Sequence, residues 1–261
     1  MVGLGGRLAV LAAALALAPS AAAATGSAIV RAVDVGDGAA EAWVFLPEHR
    51  PDCVVVVLHD AGDLTPVRYD GLADFLALGK GCATIFPRYQ TAADPPTAAT
   101  ALRGVRAGLS TGFSFLRGPQ SGIGGKAAAD ALPVTVAGFG YGGTLAFAAA
   151  RSAKAWGLPV PAAVDSIFPS AGRESGLPVA PLDARTRVLI QVGDQDRVGG
   201  SAAGSDLWKA LASHPPGRKH YQLVRSTGSL RAAHSAPFLQ TSAAEDTFWV
   251  PLSDLIDVTA P

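Results

Sequence analysis

Short apolar runs rich in β-branched residues recur along the chain, and most are followed by a stretch with helical spacing. Residues Cys53–Leu58 contain no polar side chain and read as a strand buried on both faces. Further strands are expected at 82–86, 134–137, 162–168, 187–192 and 220–224. Helical patterns fall over Asp70–Leu78, stopped by Gly79 and Gly81, and over about 97–116 behind Pro95 and Pro96. Others fall over 143–156, 202–213 and about 243–257, where Phe248 and Trp249 would pack the last helix down. Ala28–Val35 and Ala40–Leu46 flank Gly36, Asp37 and Gly38, which reads as an opening antiparallel hairpin. Residues 118–131, rich in Gly, Ser and Ala, read as a flexible surface loop. Strands alternating with helices predict an α/β fold with a mostly parallel, doubly covered sheet. There is no internal repeat and no break in composition, so residues 25–261 are expected to form a single domain.

Residues 1–24 stand apart from this pattern. Arg7 is followed by an apolar stretch from Leu8 to Ala18, and the segment ends in Ala21–Ala24. That order reads as a secretory signal peptide cleaved near Ala24, and it is too short for a membrane span. A secreted or periplasmic location follows as an expectation. Apolar residues make up 49% of the chain, enough for a substantial core. Lys and Arg number 21 and Asp and Glu 21, without a basic stripe, so the charge pattern gives no footprint for nucleic acid. The only cysteines, Cys53 and Cys82, each open a strand-like run. If those strands are parallel neighbours, the two sulfurs can bridge, which an oxidising compartment permits. Two cysteines alone make no metal site, and no cofactor is implied.

The chemistry concentrates at Gly138-Phe139-Gly140-Tyr141-Gly142-Gly143, between the strand at 134–137 and the helix that follows. Strand, sharp glycine turn and helix form the context of the nucleophile elbow Gly-x-Ser-x-Gly. Here the outer glycines are Gly138 and Gly142, and Gly140 stands at the serine position. The chain therefore resembles the α/β-hydrolase superfamily, in the manner of secreted esterases and dienelactone hydrolases, with the nucleophile replaced. The resemblance spans essentially all of residues 25–261 and implies the α/β-hydrolase fold. Because the stretch between the strands at 162–168 and 187–192 is short, no large lid is expected. Glycine relieves the backbone strain that the elbow imposes on a serine, a difference on the order of 1–3 kcal/mol.

The resemblance assigns other parts in the order nucleophile, acid, histidine. Asp196, in Gly193-Asp194-Gln195-Asp196-Arg197-Val198 after a buried strand, is the first candidate for the acid, and Asp194 the second. His234, in the loop after the strand at 220–224, takes the histidine position. His59-Asp60-Ala61-Gly62 resembles the His-Gly oxyanion loop, with the backbone N–H groups of Ala61 and Tyr141 as donors. Asp60 stands where the family often has glycine, and a carboxylate there would weaken the hole.

Three functional readings follow. The first is a secreted, catalytically impaired hydrolase that keeps a pocket for a small ester-like or apolar ligand. The second is an active carboxylic-ester hydrolase in which His234 and Asp196 activate a water beside Gly140. The third treats Gly138, Gly140 and Gly143 as a dinucleotide-binding fingerprint, with Asp165 as the ribose acid.

Overall fold

The computed structural model describes residues 31–94, 96–171 and 175–259. The expected signal peptide, and the first three residues of the expected hairpin, lie outside the described residues. No helix among the described residues is long and apolar enough to cross a membrane.

Eight strands make one sheet: β1 (Arg31–Val35), β2 (Ala42–Leu46), β3 (Cys53–Leu58), β4 (Cys82–Pro87), β5 (Val134–Phe139), β6 (Ala163–Ile167), β7 (Arg187–Gly193) and β8 (Lys219–Val224). Their spatial order is β1-β2-β4-β3-β5-β6-β7-β8. The β1–β2 and β2–β4 pairs are antiparallel and all others parallel. The architecture is the expected one, a largely parallel sheet with an antiparallel N-terminal pair. The helices are α1 (Asp70–Asp74), α2 (Ala98–Arg117), α3 (Lys126–Asp130), α4 (Tyr141–Ser152), α5 (Ala202–Ala210), α6 (Ser242–Ala244) and α7 (Val250–Asp257). α1 runs on through a π-helical turn at Phe75–Gly79, and another at Glu245–Trp249 joins α6 to α7.

β3 is apolar throughout because it feeds two cores. From β3, Val54, Val56 and Leu58 join one cluster with Phe113, Phe147 and Leu207, from α2, α4 and α5. Val55 and Val57 join the other, with Leu72, Phe248 and Leu252 beneath α1 and α7. This period-2 division is what a strand covered on both faces requires. α2 lies unusually close to β4. A Cβ at Gly108 would stand 2.7 Å from the Pro87 Cβ, and one at Gly112 2.6 Å from the Ile85 Cγ2. Gly104, one turn earlier, faces the backbone of Tyr89 in the same way.

The stretch 118–131 departs from expectation, because it contains α3. Gly122, Gly124 and Gly125 take positive φ and turn the chain back on itself. Asp130 then pairs with Arg117 (2.7 Å) and with Lys126, while Ile123 and Ala129 are buried. Composition alone hid these tethers.

β3 and β4 are parallel neighbours with Cys53 opposite Cys82, a Cα–Cα distance of 4.6 Å, and the two form a disulfide. The bridge closes a loop with a sequence separation of 29. Replacing both cysteines by alanine is expected to lower unfolding free energy by about 3–4 kcal/mol, mainly by releasing the unfolded chain. Urea unfolding of the variant tests this, and a loss below about 1 kcal/mol would mean that the bridge adds little to the paired strands.

Candidate functional site

The site forms at the carboxyl ends of β3, β5 and β7. β5 ends at Phe139, and α4 begins at Tyr141 with no intervening loop except Gly140. Gly140 has φ +54° and ψ −121°, a conformation that L side chains rarely adopt. The turn is pinned by Gly140 N–H donating to the Ile167 carbonyl (3.1 Å) and Ser170 N–H donating to the Gly140 carbonyl (3.1 Å). The flanking glycines are steric necessities, since a Cβ at Gly138 would overlap the Gly142 carbonyl and one at Gly142 the Leu58 carbonyl.

The residue that dominates this site is Asp60, one position past β3 and His59. Its Oδ1 accepts from the N–H of Ala61 (2.8 Å) and the N–H of Tyr141 (2.8 Å). These are the two groups expected to form an oxyanion hole. Its Oδ2 lies 2.8 Å from His234 Nε2. On the other side of the imidazole, His234 Nδ1 is 3.1 Å from each Asp196 oxygen. Asp196 is anchored in turn by the N–H groups of Val198 (2.8 Å) and Gly199 (3.2 Å). Asp194, the other candidate acid, turns away and accepts from the backbone and hydroxyl of Ser226. The Tyr141 ring also points elsewhere, its hydroxyl donating to the Pro96 carbonyl (3.3 Å).

Asp60 and Gly140 are sterically complementary. A Cβ at 140 would overlap Oδ1 and Cγ of Asp60 and stand 2.6 Å from Oδ2. The carboxylate thus fills the volume that a side chain at the turn would enter. It also sits at the N-terminus of α4, where free N–H groups and the helix dipole favour an anion.

The electrostatics follow from this packing. Burial works against a charged His234, but the hydrogen bonds to Asp196 and Asp60 outweigh it and lift its pKa to about 9. Burial likewise opposes ionisation of Asp60 and Asp196, yet His234 and the backbone amides hold both below the ordinary carboxylate value. At neutral pH the arrangement is an imidazolium between two carboxylates, with both ring protons engaged. No lone pair on His234 is left to accept a proton.

A second layer holds the Asp60 loop in place. Tyr69 accepts from the Asp60 N–H (2.8 Å) and donates to Asp63 (2.9 Å). His59 stacks on Tyr89, with ring centroids 3.9 Å apart, and its Nδ1 donates to the Asp60 carbonyl. Burial pushes its pKa down to about 4, so His59 is a neutral brace rather than a proton carrier.

Sequence reasoning brought Asp60 to the rim of the hole and missed that it enters it and pairs with His234. The available signal was the joint occurrence of an acid at 60 and a glycine at 140. The dinucleotide fingerprint gains nothing from the geometry. Asp165 lies inside β6, fully buried, with Gln191 Nε2 3.3 Å from both its oxygens. Burial raises its pKa to about 8, leaving a neutral carboxyl away from the glycine turn. Five cavities of the described residues are lined by other side chains, without Asp60, Gly140, Asp196 or His234. Nor is there a group of three or more His, Cys, Asp or Glu among them placed to hold a metal ion.

No protein-family model matches the sequence, and no curated protein matches it. Solved structures do. An alpha/beta hydrolase from a Medee basin deep-sea metagenome library superposes with a TM-score of 0.63 at 14% identity, covering 88% of this chain and 98% of that one. Carboxyl esterase 2 of the mycorrhizal fungus Tuber melanosporum gives 0.62 at 14% identity, over 91% and 88% of the two chains. A dienelactone hydrolase-like promiscuous phosphotriesterase from metagenomic libraries gives 0.60 at 18% identity, over 90% and 100%. At these identities the likeness is one of fold, and the fold is that of the α/β hydrolases.

Proposed function

We propose that the protein is an exported α/β-hydrolase-fold protein, catalytically impaired as an ester hydrolase, whose esterase-type site is closed by its own Asp60. The observation that carries this reading is the Asp60 carboxylate, with one oxygen on the Ala61 and Tyr141 amides and the other on His234. A carboxylate in that position resembles the acid product of ester cleavage, one oxygen in the hole and the other on the histidine. Unlike a product, it is covalently part of the chain and cannot diffuse away. Attack on an acyl carbon needs a nucleophile at the turn, an unprotonated histidine and an empty hole. Gly140 supplies no nucleophile, His234 is held as an imidazolium, and the hole is filled. Export is supported by the leader-like residues 1–24 and by the Cys53–Cys82 bridge.

The competing reading, an ester hydrolase using water activated by His234 and Asp196, requires a neutral His234. Two carboxylates beside the ring oppose that state across the physiological range. The test is hydrolysis of p-nitrophenyl acetate by the native protein and by His234→Ala, together with ¹⁵N NMR of the imidazole. Equal, near-background rates and a ring that stays doubly protonated at pH 7, titrating near pH 9, are expected. Turnover by the native protein that His234→Ala abolishes would overturn the closed-site reading.

A further inference from the structure

The opposite edge of the sheet carries a site of different character. At the amino ends of β6, β7 and β8, two cavities of ≈ 430 Å³ and ≈ 420 Å³ adjoin, sharing Arg187, Arg218 and Val258. Each is of the size that takes a small ligand.

The first cavity is cationic. Three arginines line it, Arg185, Arg187 and Arg218, against one carboxylate, Asp183. Asp183 is already engaged, gripped by Arg185 through Nε and Nη2 at 3.0 Å each. Arg218 spends one nitrogen on the Arg185 carbonyl (3.0 Å) and meets no carboxylate among the described residues. Arg187 is half-buried, and its side chain makes no hydrogen bond or ion pair among the described residues. A partly desolvated guanidinium without an anion is costly, and its planar fork suits a carboxylate or phosphate.

The second cavity is more apolar than the first, although His220 and Gln222 also line it. Leu189, Leu255, Pro251 and Val258 form much of its wall. Val258 is 55% exposed, an apolar side chain left open at the junction of the two cavities. Lys219, at the edge of this cavity, is turned to the Leu211 carbonyl and the Trp208 ring, so its charge does not enter. The acid here is Asp254, on the exposed side of α7.

We propose that this joined groove binds a single-chain anionic amphiphile, its head on Arg187 and Arg218 and its alkyl chain along Leu189, Leu255 and Val258. The argument is charge complementarity at one end and uncovered apolar surface at the other, continuous through shared residues. It is independent of the closed site, which lies at the other end of the strands.

Isothermal titration of the full chain would use decanoate and decyl phosphate below their aggregation concentrations, beside decanol, acetate and inorganic phosphate. The two decyl anions are expected to bind, and decanol, acetate and inorganic phosphate to bind at least about tenfold more weakly. Arg187→Ala should weaken decanoate about tenfold, as should Arg218→Glu, which alters an exposed side chain and leaves packing intact. Val258→Ser, which removes apolar surface without adding charge, should weaken the decyl anions and not inorganic phosphate. Decanol binding as tightly as decanoate, or no loss in Arg218→Glu, would overturn the cationic half. Acetate or inorganic phosphate binding as tightly as the decyl anions would overturn the apolar half.

Discussion

Asp60→Gly combined with Gly140→Ser is expected to turn the protein into a measurable ester hydrolase, whereas Gly140→Ser alone stays near background. The single change introduces a Cβ into the space of the Asp60 carboxylate and forces a left-handed backbone on a residue with a side chain. Asp60 would have to abandon its bonds to Ala61, Tyr141 and His234 to make room. Its removal acts on three things at once. It empties the two-amide hole, frees the Nε2 face of His234, and strips away one of the two carboxylates that raise its pKa. Asp196 remains on Nδ1 to orient the ring. A serine at 140 then meets a base, an orienting acid and a hole, the arrangement that general-base activation of a nucleophile requires. A gain on the order of 10³-fold over the native protein is a reasonable target for such an unrefined site. Asp60→Gly alone should remain slow for want of a nucleophile. Steady-state p-nitrophenyl ester kinetics on all four proteins decide the matter. If Gly140→Ser equals the double variant, Asp60 does not block the site. If the double variant is folded and silent, the scaffold lacks more than its nucleophile.

The second large effect concerns stability. Asp165 is fully buried and burial raises its pKa to about 8, whereas an unfolded chain would titrate near the ordinary value of about 4. The folded state therefore holds a proton that the unfolded state releases between those values. Stability on this account is highest at low pH, falls as pH rises from about 4 to about 8, and is flat beyond. Asp165→Asn keeps the shape and removes the titration. At pH 7 it should stabilise the protein by roughly 2–4 kcal/mol and flatten the profile over that window. His234 contributes in the same direction on the alkaline side. Its pKa is raised to about 9, so its stabilisation is present below about 6.5 and is lost as pH climbs toward 9. Asp60 and Asp196 act oppositely, with lowered pKa values, and their stabilisation fades as pH falls through the acidic range. The native protein should accordingly be most stable at about pH 4–6. Urea unfolding at pH 5, 7 and 9 checks both statements, and an Asp165→Asn variant less stable than native at pH 7 would refute the assignment of a costly buried acid.

Most of the architecture could be read from the chain because the signals are local. The apolar run at Cys53–Leu58, the glycine stops at Gly79 and Gly81, and the glycine turn before α4 each announce their own element. The Cys53–Cys82 bridge followed once both runs were taken as parallel neighbours, since register then brings their first residues together. The meeting of Asp196 and His234 was accessible from their order and from their places after successive strands. The role of Asp60 was not, because it depends on contacts across the chain, 81 residues to Tyr141 and 174 to His234. Nothing near position 60 says whether its carboxylate turns outward or inward. Only the absence of a side chain at Gly140, in three dimensions, makes inward possible. The helix at Lys126–Asp130 escaped for a related reason, since its tether to Arg117 is tertiary.

The close approach of α2 to β4 has a kinetic consequence. The contact requires Gly104, Gly108 and Gly112 along one face, and each glycine costs a helix interior about 1 kcal/mol relative to alanine. A helix so weakened has little persistence as an isolated segment. It gains stability only when the β4 surface is already there to receive it. α2 is therefore expected to consolidate only after β4 is in place, so that Gly108→Ala, by crowding Pro87, should mainly speed unfolding. The helix that brings the sheet's antiparallel flank and its centre into one core is the one that must wait for both.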